Sequence, residues 1–151
     1  MKVLLVHSGS CEPELRQLRR WLEAENCEVA IVDLNHPDEQ SQTKAITESV
    51  SECDSVVVLM DSQLPLPEVQ VAILAANAKG KKILGVKLAA AVVVDALEKF
   101  GSSLIGFNRE LIIDAVCEDR FAWTDEEGRP REEPETERHK CKKPANRNAA
   151  A

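Results

Sequence analysis

Tyrosine is absent from this chain, and all aromatic residues together make up 3% of its 151 positions: three phenylalanines and two tryptophans. A site that holds a planar ring between aromatic faces therefore has little to be built from. No apolar run approaches the roughly 20 residues of a membrane-spanning helix. After Met1-Lys2 the chain enters a strand-like run too short for the apolar region of a secretion signal, so we expect a cytoplasmic protein without a membrane partner. Net positive charge is also missing. The formal charge of -7 works against general nucleic-acid binding by the whole chain. The five cysteines are an odd, scattered set without a CxxC pair, which favours buried reduced thiols over a disulfide framework. His139 and Cys141 have no partner pair at zinc spacing, so no metal is expected.

What is present is a regular alternation. Lys2 to His7, Val29 to Val32 (ending at Asp33), Ser55 to Met60, Lys81 to Val86 and Ser103 to Phe107 read as strands. Between them lie helical patterns. The first carries Leu15, Leu18, Trp21 and Leu22 on one face and stops at Asn26. A short second helix holds Ala45, Ile46, Ser49 and Val50, after a polar loop from Asn35 to Gln42. The third runs from Pro67 to Lys79 and stops at Gly80, the fourth from Val92 to Phe100 before Gly101, and the fifth from Arg109 to Cys117. The strands are continuous apolar runs, as required when helices cover both faces of a parallel sheet. Right-handed crossovers with one reversal of winding predict a flavodoxin-like three-layer α/β sandwich, a five-stranded parallel sheet in the order 2-1-3-4-5. The length suits one such domain, assigned to residues 1–118.

Residues 119–151 differ in kind. Phe121 and Trp123 are their only large apolar side chains, and Phe121-Ala122-Trp123 is expected to pin the start of this tail onto the domain. Residues 125–137 carry a net charge of -5 and residues 138–147 a net charge of +5. Such a segment reads as a charged, largely disordered tail. The basic run from Arg138 to Lys143 can touch nucleic acid or an acidic partner, but is expected to be a solvated tail.

In the predicted order, strands 1 and 3 are neighbours at the point where the winding reverses, and ligands of open α/β sheets bind there. The loop His7-Ser8-Gly9-Ser10-Cys11 and the loop from Asp61 to Pro67 would face each other across that crevice. Ser8, Gly9 and Ser10 can offer backbone N–H groups to a phosphate, or can form only a tight turn. His7 can serve as a base, or can simply end a strand. Asp61 and Ser62 would shape the pocket. Glu68 opens the third helix, where the helix dipole alone favours an acid. At the crevice wall its carboxylate can also accept hydrogen bonds from ribose hydroxyls and stabilise positive charge growing at C1′.

Three stretches resemble the TIR and TIR-like domain family: the polar loop His7-Ser8-Gly9-Ser10, the run from Ile46 to Leu59, and Ser62 followed six residues later by Glu68 at a helix start. The ending Ile105-Gly106-Phe107-Asn108-Arg109-Glu110-Leu111-Ile112 is similar to the prokaryotic TIR-like branch found in defence systems. The resemblance implies that Glu68 is the catalytic acid of NAD cleavage, with NAD a substrate and no separate cofactor, and with a signalling product in antiphage defence. The chain departs from the family at Gln63-Leu64-Pro65-Leu66-Pro67, where Trp-Cys is frequent. That departure leaves open a non-catalytic module that pairs with another TIR domain. The helix from Glu68 to Lys79 also resembles nucleoside 2-deoxyribosyltransferases, where a glutamate attacks the sugar. A phosphoacceptor receiver is disfavoured, because His7 and Ser8 stand where it needs an acidic pair. The resemblance also implies sites completed across subunits. The run from Leu88 to Val94 is longer than one buried helix face requires, so a homo-oligomer touching near Val92 to Val94 is expected.

Overall fold

Every residue of one strand, Ser55–Met60, is buried, and the rest of the architecture is arranged to keep it so. The computed structural model describes residues 1–7, 12–33, 39–60, 66–88, 95–123 and 130. In chain order the elements are β1 (Lys2–His7), α1 (Glu12–Ala24), β2 (Glu28–Asp33), α2 (Glu39–Glu52), β3 (Ser55–Met60), α3 (Leu66–Ala78), β4 (Lys82–Lys87), α4 (Asp95–Phe100), β5 (Ser103–Gly106) and α5 (Arg109–Cys117). The sheet is parallel throughout, ordered β2-β1-β3-β4-β5, and the fold is flavodoxin-like. No helix among the described residues is long and apolar enough to cross a membrane.

Successive strand residues point to opposite faces, and this sorts the core into two layers. Leu4, Val6, Val56, Val58, Met60 and Ile83 pack with Ile46 and Val50 of α2, Val69, Ala72, Ile73 and Ala76 of α3, and Leu97 of α4. Val3, Leu5, Val57, Leu59, Leu84, Val86 and Ile105 pack with Leu15, Leu18 and Leu22 of α1 and with Ile112, Ala115 and Val116 of α5. Two helices thus cover one face and three the other.

The helix ends follow local chemistry. Asn26 adopts φ 65 and Gly80 φ 68, both left-handed. After α1 the N–H of Cys27 donates to Leu22 O at 3.1 Å and that of Asn26 to Glu23 O at 3.0 Å. After α3, Lys81 donates to Ala76 O at 2.8 Å and Gly80 to Asn77 O at 3.0 Å. Both are Schellman closures. Helix α5 starts on Asn108, whose side chain accepts the N–H of Leu111 at 3.0 Å.

Several boundaries depart from the sequence reading, most by a single residue, and α2 by more. Helix α2 begins at Glu39, inside the segment Asn35 to Gln42 expected to be a loop. Its first turn is polar and carries no apolar period to reveal it. Strand β4 runs one residue further, to Lys87. Beyond α5 the chain returns to the sheet. Trp123, 5% exposed, bridges Leu104 in a parallel sense, and Leu104 N donates to Ala122 O at 3.0 Å. Val92 to Val94 lie outside the described residues.

Gly101 is the tightest point between α4 and β5. A Cβ there would lie 2.5 Å from the carbonyl oxygen of Leu97, a backbone atom that already accepts the Gly101 N–H. Gly106→Ala is the natural control, because a Cβ at Gly106 meets nothing within 4 Å. Gly101→Ala is expected to lower unfolding free energy by about 1–3 kcal/mol in urea melts, and Gly106→Ala to leave it near the parent value. Equal stability of the two variants would contradict this packing.

Candidate functional site

At the N-terminal end of the sheet, charges are tied into the scaffold. Lys2 Nζ lies 3.7 Å from Glu28, and the Lys2 N–H donates to Asp54 at 2.8 Å. Lys82, with a side chain only 15% exposed, donates to the carbonyls of Ala115 (3.2 Å) and Val116 (2.6 Å) and pairs with Asp119 at 2.5 Å. It thereby satisfies the last carbonyls of α5, which have no partner within the helix.

The C-terminal end is where the winding reverses. Strands β1 and β3 are neighbours in the register Val6↔Val58. The chain leaves β1 toward α1 on one face, and leaves β3 toward α3 on the other. In open α/β sheets, ligands bind at the strand ends where the winding reverses in this way. His7, the last residue of β1, is 4% exposed and in register with Asp33 of β2. By alternation with Val3 and Leu5 it points to the α1–α5 face. Glu68 is the third residue of α3 and half-buried, next to the fully buried Val69 that anchors this turn to the opposite layer. His7 and Glu68 thus sit at the same end of the sheet and belong to different faces of it. Ser8, Gly9, Ser10, Asp61 and Ser62 lie outside the described residues, as do His139 and Cys141.

Sequence reading missed Lys87. It ends β4 as the partner of Met60 and is half-buried. Ile83 packs in the α2–α3–α4 layer, and a Cβ on Gly85 would meet Leu97, Leu104 and Met60. Alternation therefore points Lys87 to that same side, the side of Glu68. The available signal was the polar end of the run Ile83-Leu84-Gly85-Val86-Lys87. An ammonium and a carboxylate at this end can address, respectively, an anionic group and neighbouring hydroxyls. Among the described residues no group of three or more His, Cys, Asp or Glu is arranged to hold a metal ion.

No protein-family model matches the chain, and no curated protein matches it. Among solved structures it is similar to a 3-dehydroquinate dehydratase-like protein from Bifidobacterium longum, with 18% identity and a TM-score of 0.55 over 77% of this chain and 94% of that one. This likeness concerns the fold. Weaker likenesses, which bear on neither activity nor substrate, are to a Clostridium botulinum CMP N-glycosidase (25% identity, TM-score 0.44, 58% and 68% covered) and a flavodoxin-like domain from Synechococcus (22%, 0.47, 63% and 69%).

The two lysines that bound β4 separate in role. Lys82→Met is expected to lower stability by roughly 1.5–3 kcal/mol, since it removes charged hydrogen bonds from buried carbonyls. Urea unfolding measures it. A loss below the noise of the melt would show that water replaces the ammonium at the end of α5.

Proposed function

We propose that this chain is an enzyme that cleaves the N-glycosidic bond of a nucleotide, with NAD as the first candidate substrate. The observation that carries the reading is the position of Glu68: half-buried, in the first turn of α3, at the end of the sheet where β1 and β3 are neighbours and the winding reverses. The spacing of Ser62 and Glu68 and its resemblance to TIR-like enzymes support it, as does Lys87 on the same side of the sheet.

In the proposed reaction Glu68 accepts hydrogen bonds from the ribose hydroxyls and holds negative charge below C1′. The bond from C1′ to the pyridinium nitrogen breaks, and its electron pair stays on that nitrogen. Nicotinamide thus leaves neutral and needs no proton. The charge left on the ribose is an oxocarbenium ion, which the carboxylate stabilises. Water adds to C1′ and gives up a proton, or a hydroxyl of the substrate adds and closes a ring. Lys87 binds a phosphate oxygen and sets the depth of the substrate. His7 lines the far wall. Loop residues Ser8, Gly9 and Ser10 hold a second phosphate through their N–H groups, with Asp61 and Ser62 at the pocket's edge. A signalling role in antiphage defence is the context this chemistry fits.

A specific observation favours a second reading. Helix α3 carries one charged residue in thirteen, Glu68, and its Leu74 is 49% exposed on the outer surface. Apolar side chains on an outward helix face suit contact with another TIR-like domain or a second copy of this chain.

Purified protein is expected to release nicotinamide from NAD, and Glu68→Gln to reduce the rate by about 100-fold or more with an unchanged melting temperature. Unchanged turnover in that variant would remove Glu68 from the mechanism. Calorimetry and sedimentation at micromolar concentration divide the two readings. Absence of NAD binding together with a stable oligomer would replace the enzyme by the interaction module. A strict monomer with and without NAD would count against a site shared between subunits.

A further inference from the structure

Cys27 and Cys117 are 90 positions apart in sequence, yet their Sγ atoms lie 3.9 Å from each other. Cys27 stands between α1 and β2, and Cys117 is the last residue of α5. Both belong to the N-terminal end of the sheet, away from Glu68. We propose that this pair is a redox modification site, at which a small-molecule disulfide drives formation of a Cys27–Cys117 bridge. Two sulfurs in contact at this distance come within bonding range, about 2.05 Å, by side-chain rotation and a small shift of the end of α5. Cys53 offers a contrast. It is buried in the opposite layer and donates to Val50 O at 3.3 Å.

The reaction is thiol–disulfide exchange. Cys117 is half-buried and Cys27 only 7% exposed, so Cys117 meets the reagent first. Its sulfur attacks one sulfur of the incoming disulfide. That S–S bond breaks, and one small thiol leaves with the proton Cys117 gave up. Cys27 then attacks Sγ of Cys117, and the second small thiol leaves with the proton of Cys27. One reagent disulfide is reduced to two thiols while the protein pair is oxidised to one bridge.

The surroundings select the reagent. Burial, the adjacent Cys27 and Glu25 push the Cys117 thiol up to about 11, against the opposing pull of Lys82. Cys117 is therefore mostly protonated near neutrality, and the exchange runs through its small thiolate fraction. Glu25, two residues before Cys27, and Asp114, three before Cys117, also line an open groove of about 460 Å³ with Asn108, Arg109, Glu110 and Ile113. Three carboxylates against one guanidinium favour the approach of a cationic disulfide over an anionic one. The bridge would tie the end of α5 to the start of β2 and close most of the described chain into one loop.

The test uses the full reduced chain, exposed in parallel to cystamine (cationic) and oxidised glutathione (anionic). Peptide mapping is expected to find Cys27 linked to Cys117, and the melting temperature to rise by about 10 °C. Cystamine is expected to act several-fold faster. Cys27→Ala and Cys117→Ser, each compared with its own reduced form, should show no rise. If one variant fails to fold, the other decides. Bridges confined to other cysteines, a bridge between Cys27 and Cys117 without a rise, or a rise that survives in either variant would overturn the proposal. Equal rates for the two reagents would overturn the role given to the groove.

Discussion

The constraint on which the structure turns is that a fully buried parallel strand has no face to give to water. All six residues of β3 are buried, so helices must lie above and below it. Parallel neighbours can be reached only by crossing over one face or the other. Crossovers that cover both faces must therefore reverse the winding, and here the reversal falls between β1 and β3. In open α/β sheets a binding crevice is a by-product of such a reversal. It exists before any side chain is chosen for chemistry, which is why polar residues placed at these strand ends acquire common surroundings without being close in sequence.

The fold was legible because burial leaves so few choices. Runs such as Val56-Val57-Val58-Leu59 have no polar alternate residue, and Asn26 and Gly80 are residue types that accept a left-handed backbone. The start of α2 was hidden for the complementary reason. Glu39-Gln40-Ser41-Gln42 turns helical without an apolar stripe, and periodicity is the signal sequence reading relies on. The site was legible in part. Strand order predicts that His7 and Glu68 share one end of the sheet, and they do. It does not predict from which layer each approaches, and it passed over Lys87 because an apolar run draws attention to its body and not to its last residue. The contact between Cys27 and Cys117 could not be read at all, since it depends on how α1 and α5 lie side by side.

The helix layers differ in what holds them. The α1–α5 side adds a ring contact to its aliphatic core, Trp21 against Phe107 with centroids 4.9 Å apart, and the lysine that completes α5. The α2–α3–α4 side relies on small residues, Ala72 and Ala76 of α3, which let a helix lie close to the sheet. Among the described residues, Lys2 and Lys82 tie the N-terminal ends of β1 and β4 to Glu28 and Asp119.

Trp123 has a meaning beyond packing. A parallel sheet with five strands has two open borders, and β5 forms one of them with only four residues. An uncovered border offers unpaired N–H and C=O groups to any extended chain that meets it. Here Leu104 gives its N–H to Ala122, Ser103 Oγ accepts the N–H of Ala122 at 2.8 Å, and the indole of Trp123 closes the hydrophobic margin. The segment after α5 thus acts as a selvedge for the sheet. A chain shortened after Glu118 would retain every helix and strand and still lose its protection against edge-to-edge polymerisation.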